Sequence, residues 1–96
     1  MSENKNDIKN EKELERIMKA LANRRRLAIL RYLKAEREAT VGEIAEEIRL
    51  SFKATSKHML VLSAADIVEK EQRSLQMFYR LVGDLPLAAR SIISLL

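Results

Sequence analysis

The chain has no cysteine, one histidine, one proline and two glycines in 96 residues. Without cysteine there is neither a disulfide framework nor a thiolate metal site. The lone His58 cannot build an imidazole cluster within one chain. Scarce Gly and Pro leave little material for loops and favour long helices. No apolar run approaches the roughly 18 residues a bilayer-spanning helix needs. The polar start, Met1 to Asp7, lacks the apolar core of a secretion signal, so no membrane association and a cytoplasmic location are expected. No glycine-rich phosphate loop and no convergent acid pair with a base are present. The expectation is therefore no enzyme, no catalytic residue, no cofactor and no metal.

What is present is 47% hydrophobic residues, enough to exclude a wholly disordered chain, and a net charge of +4. The excess is local. Residues 24–40 carry six Lys or Arg against two Glu, and residues 51–65 carry Lys53 and Lys57 with no acid. Between them, residues 41–50 carry three Glu against Arg49. Two short basic segments form a plausible phosphate-binding footprint.

Residues 1–10 read as a flexible polar tail and residues 11–96 as one domain. A helix from about Glu11 carries Leu14, Ile17, Met18 and Leu21 as an apolar stripe. Asn23 is placed to cap a second helix with Leu27, Ile29, Leu30 and Leu33 as its apolar positions. The end of that helix and a connection should lie within Lys34 to Ala39. Thr40 and Glu43 form a capping box opening a third, short helix. Arg49-Leu50-Ser51 separates it from a fourth, capped by Ser51, on which Thr55, Met59 and Leu62 share one face. Lys53, Ser56 and Lys57 point largely the other way.

After Asp66 the period changes to two. Residues 67–72 and 75–81 read as strands of a hairpin, and without glycine the turn at Arg73-Ser74 is expected to need three or four residues. Gly83-Asp84 ends the second strand, and Leu85-Pro86 opens a last apolar helix over 85–96. The predicted order is α-α-α-α-β-β-α. This is a mainly α fold with a small β-hairpin: a winged helix-turn-helix, with the helix-turn-helix over 40–65 and the wing over 67–81.

Five pieces in this order resemble the ArsR family of winged-helix transcriptional repressors, over roughly Leu14 to Leu85. They are Ala20-Leu21-Ala22-Asn23 with Arg26 to Leu30, Val41-Gly42-Glu43-Ile44-Ala45, Leu50-Ser51, Ser56-Lys57-His58-Met59 with Val61-Leu62, and Phe78-Tyr79-Arg80-Leu81. The resemblance implies a prokaryotic homodimer on a palindromic double-stranded DNA operator, dimerising through its first and last helices. Leu14, Ile17, Met18, Leu87, Ile92 and Leu95 are the candidate dimer residues. The family's metal sensors place Cys in the third helix, or acidic and His ligands on the last. Here those places hold Val41 to Ala45 and only Asp84. Asp66 and Ser74 stand where the family often has Gly, and Phe52 and Leu60 where polar or basic residues are common.

The candidate DNA contacts are Ser51, Phe52, Lys53, Ser56, Lys57 and His58 on the fourth helix, with Lys70 and Arg73 on the wing. Lys reaches guanine or phosphate and Ser bonds several bases, so the set points to DNA binding more than to one sequence. Phe52 suits either a thymine methyl or the wing, and His58 suits the core or a phosphate. Arg26 matches the family's Arg, while Arg24 and Arg25 reach phosphates if their helix start faces the duplex. Glu69 and Glu71 flank the wing cations and repel phosphate. The expected function is a sequence-specific regulator, a homodimeric repressor with residues 51–65 in the major groove. The alternative is a winged helix serving as a protein–protein module in a transcription or toxin–antitoxin complex.

Overall fold

The computed structural model describes residues 11–96; the proposed tail, residues 1–10, lies outside them. In chain order the elements are α1 (Glu11–Leu21), α2 (Arg24–Glu36), β1 (Ala39–Thr40), α3 (Val41–Ile48), α4 (Phe52–Ala64), β2 (Val68–Arg73), β3 (Gln76–Leu81) and α5 (Leu87–Ile93). Three helix starts are set by the side chains that the sequence places there. The Asn23 carboxamide oxygen accepts from the amides of Arg25 and Arg26. Thr40 and Glu43 bond each other's backbone N–H as a full capping box, and Ser51 Oγ accepts from the Ala54 amide. Each satisfies donors that the first helical turn leaves free.

The core is built from one face of every helix. Ile29, Leu30 and Leu33 of α2, Ile44 of α3 and Met59 and Leu62 of α4 are fully or almost fully buried, with Ile67 beside them. Burying such a side chain contributes about 1.5–3 kcal/mol. That outweighs the few tenths of a kcal/mol by which Thr, Ser, His and Val lower helix propensity along α4. Packing, more than propensity, makes α4 a helix. Ile17 is 4% exposed within its own chain and belongs to this core, not to a dimer face as expected.

Three features differ from expectation. First, β1 makes a third strand, pairing antiparallel with β3 through Ala39↔Tyr79 and Thr40↔Phe78, so the sheet order is β1-β3-β2. Second, the hairpin loop has two residues, Ser74 and Leu75, because Arg73 pairs directly with Gln76. Ser74 supplies the positive φ of 57° that a tight turn needs at its first position. Leu75 lies in that loop, not in a strand. Third, α5 is shorter than 85–96, and Pro86 stands before its first turn as the cap residue.

The helix ends are closed by cations from distant elements. Arg26 donates through Nε to the Ala20 carbonyl (2.6 Å) and through Nη2 to that of Lys19 (2.9 Å), closing the end of α1. Lys34 Nζ reaches the Ile93, Ser94 and Leu96 carbonyls at the end of α5. Positive charge at a helix C-terminus also favours the helix dipole.

Candidate nucleic-acid interface

α4 is fixed at both ends and along one side. Ser51 caps its start. At its end the Arg16 guanidinium donates to the Ala64 carbonyl and lies 3.9 Å from Asp66. Asp66 takes the left-handed φ of 59° that turns the chain from α4 towards β2. Between the ends, Thr55, Met59 and Leu62 are buried. A helix held in this way presents its other face as a rigid surface.

On that outer face Lys53 and Lys57 are exposed and Ser56 is half-buried, with no acidic residue anywhere along the helix. Ser51 is exposed beside them, although its hydroxyl is already engaged as an acceptor. Phe52 is 63% and Leu60 64% exposed. The face is basic, polar and apolar together.

His58 is half-buried at the edge of this face, with Nδ1 3.2 Å from Arg26 Nη1. A guanidinium only donates, so Nδ1 accepts and the ring proton sits on Nε2. Burial first, then the charges of Arg26 and Arg25, hold the His58 pKa below its ordinary 6.5. His58 is therefore a neutral imidazole with its proton on Nε2, not a cation.

Both wing arginines are held by nearby carboxylates. Arg73 makes a two-pronged bond to the Glu38 carboxylate, 2.8 Å on one prong, bonds Glu71 at 3.3 Å, and stacks 4.4 Å over the Phe78 ring. Arg80 donates to Glu69 (2.9 Å) and Glu71 (2.8 Å). These bonds lower the pKa of Glu38 and Glu71 and keep both carboxylates ionised. Of the two wing candidates Lys70 is exposed and its ammonium makes no ion pair or hydrogen bond with a described residue, whereas Arg73 is committed to carboxylates. Glu38 is the residue that the sequence did not reveal. It lies 35 positions from Arg73, and only the pairing of β1 with β3 brings it within reach.

Elsewhere, Tyr32, Glu43, Glu46, Glu47 and Arg49 line an open acidic cavity of about 540 Å³ between α2 and α3. Among the described residues no three His, Asp or Glu gather as a metal site, and no helix is long and apolar enough to cross a membrane. The terminal helices carry a separate apolar surface. Met18 is 56% and Leu95 78% exposed, Leu87 and Ile92 are partly exposed, and Leu14 is half-buried beside Met18.

Residues 21–71, from the end of α1 to within β2, match the family described as "Helix-turn-helix domain". Transcriptional activator HlyU of Vibrio cholerae is 37% identical over 65 residues; the match covers 68% of this chain but 59% of the length of that relative. The solved structure of Vibrio cholerae HlyU superposes with a TM-score of 0.76 at 32% identity, covering 91% of this chain and 90% of that one. The homodimeric winged helix-turn-helix DNA-binding domain of Mb0332 from Mycobacterium bovis, a possible ArsR-family regulator, gives 0.76 at 32% identity, covering 88% and 74%. The transcriptional repressor BigR from Xylella fastidiosa gives 0.71 at 28%, covering 88% and 82%. The chain belongs to the helix-turn-helix family and, within it, to the winged helix-turn-helix transcriptional regulators of the ArsR type.

Proposed function

We propose that the chain is a homodimeric, sequence-specific regulator of transcription that places α4 in the major groove of double-stranded DNA. The observation that carries this reading is α4 itself: capped at both ends, packed along Thr55, Met59 and Leu62, and free of acid on its outer face. Lys53, Lys57 and Ser56 supply the contacts, with Ser51 and His58 at the margins and Phe52 suited to a thymine methyl. Lys70 adds a phosphate contact from the wing, and Arg73 adds one only once it leaves Glu38.

The exposed Met18, Leu87, Ile92 and Leu95, with Leu14, form the dimer face. A two-fold dimer sets its α4 helices about 34 Å apart and selects a palindromic operator. Occupancy alone suffices to block a promoter, so repression is the simplest output, and the site of action is the cytoplasm, where the operator lies.

The test is selection of bound duplexes from a random pool, followed by titration over a range of salt. Lys53→Ala with Lys57→Ala should weaken binding and flatten its salt dependence, because fewer counterions are released. No binding to any duplex at low salt rejects the reading. A second reading, a protein-docking module, draws support from exposed Phe52, Leu60 and Val61 on α4 and from the carboxylate-rich wing. It predicts instead a stoichiometric protein partner that buries Phe52 and Leu60.

A further inference from the structure

Arg24 and Arg25 from the first turn of α2 and Arg49 from the end of α3 line one cleft of about 320 Å³, floored by Ala28 and Ile48. All three arginines are exposed, and none makes an ion pair or side-chain hydrogen bond with another described residue. The contrast with the wing is direct, since Arg73 and Arg80 are both held by carboxylates. Arg49 also borders the acidic cavity of Glu43, Glu46 and Glu47, yet no carboxylate there pairs with it.

All three arginines stand where they cost local stability. The first turn of α2 has no acidic residue, and its arginines oppose the helix dipole. Arg49 caps α3 with φ 56° and ψ 52°, a left-handed conformation that favours glycine. No ion pair or side-chain hydrogen bond from Arg24, Arg25 or Arg49 to another described residue offsets either cost.

The cleft adjoins the recognition helix. Arg49 is two residues before the Ser51 cap of α4. Arg26, next to Arg25, bonds His58 on α4, and the charge of Arg25 is felt at the same ring. Exposed cations therefore stand on both sides of the turn, Lys53 and Lys57 on α4 and Arg24, Arg25 and Arg49 around the cleft.

We infer that Arg24, Arg25 and Arg49 form a phosphate-binding cleft that grips the DNA backbone beside the groove occupied by α4. The chemistry is a phosphate oxyanion held by planar, bidentate guanidinium donors. The cleft holds the dimer on the duplex without reading its sequence, leaving discrimination to α4. This inference rests on the reading of α4 as a DNA-binding helix.

The experiment measures the salt dependence of binding to a selected duplex and to a random one. It compares the full chain with Arg24→Gln/Arg25→Gln, Arg49→Gly, Lys53→Ala/Lys57→Ala, and Arg31→Gln as an exposed control outside the cleft. Losing the cleft contacts should lower the log–log slope by about 0.9 for each phosphate released, equally on both duplexes, while the Arg31 variant keeps the full slope. Arg49→Gly separates function from folding: relief of the left-handed backbone raises its melting temperature while its DNA binding weakens. An unchanged slope in both cleft variants, with a reduced slope in the Lys53/Lys57 variant, overturns the cleft and leaves the groove reading standing. No duplex binding by the unaltered chain overturns both. Millimolar pyrophosphate that stabilises the unaltered chain but not the cleft variants, with no change in DNA slope, assigns the cleft to a small anion and likewise overturns the inference.

Discussion

Nη1 of Arg26 lies 3.2 Å from Nδ1 of His58, so a side chain that closes the end of α1 also fixes a ring on the recognition helix. One cation joins α1, α2 and α4 where the polar outer face of α4 meets the core. Truncation at Arg26→Ala leaves the Ala20 and Lys19 carbonyls without this donor and should cost about 1–3 kcal/mol in denaturant unfolding. Arg26→Lys restores only part of the loss, because an ammonium lacks the planar fork.

The same pair makes stability depend on pH. The folded pKa of His58 is depressed below 6.5. As pH falls below about 6.5, the unfolded chain takes the proton before the folded chain does, and stability drops until the folded pKa is passed. Urea midpoints measured from about pH 7.5 to about pH 5 should fall with acidity. His58→Gln should remove most of that slope. Glu38 and Glu71, whose pKa values are also lowered, contribute in a separate window, with stability lost below about 4.5.

Freeing the wing should strengthen its hold on DNA. Glu38→Gln removes the carboxylate that grips Arg73 through both prongs. The expected result is tighter binding and a salt slope steeper by up to about 0.9 per wing. Glu71→Gln should act in the same direction through both Arg73 and Arg80. An unchanged slope in both variants would mean that the wing stays clear of phosphate.

Thr55 is fully buried, and its hydroxyl has no hydrogen-bond partner among the described residues. Thr55→Val replaces the hydroxyl by a methyl group of similar shape and removes an unsatisfied polar atom. Thermal unfolding should show a gain of about 1 kcal/mol. Duplex affinity should stay constant, since the side chain is buried in the core.

Ser74 and Asp66 hold positive φ values of 57° and 59°. Ser74→Gly should stabilise the hairpin, with relief of about 1 kcal/mol partly offset by greater freedom in the unfolded chain. Asp66→Gly should gain less, because Asp tolerates this conformation better than Ser and Asp66 lies 3.9 Å from Arg16. Melting temperatures of the two variants check the ranking.

The local signals in the sequence were accurate where the physics is local. Asn23, Thr40 with Glu43, and Ser51 each act within three residues, and each caps the helix expected of it. The buried face Thr55, Met59 and Leu62 followed from helical spacing alone. The tight hairpin did not, because Ser74 adopts a backbone conformation for which its side chain gives no cue. Among the described residues four that are not glycine, Arg37, Arg49, Asp66 and Ser74, take positive φ, while neither Gly42 nor Gly83 does. Two-residue β1 has no periodicity to detect, and Glu38 becomes meaningful only once β1 pairs with β3. Ile17 shares a helical stripe with Met18, and only the packing of α5 and α2 decides which of them faces inward.

Thr40 belongs to two elements at once: it pairs with Phe78 as the end of β1 and caps α3 through its side chain. No residue lies between strand and helix to act as a hinge. A displacement of the wing that shears β3 along β1 is therefore transmitted to α3 without slack, and through its packing on α4 to the recognition surface. Wing and helix-turn-helix form one mechanical body, and amide hydrogens at Thr40, Glu43 and Phe78 should exchange with a common opening rate.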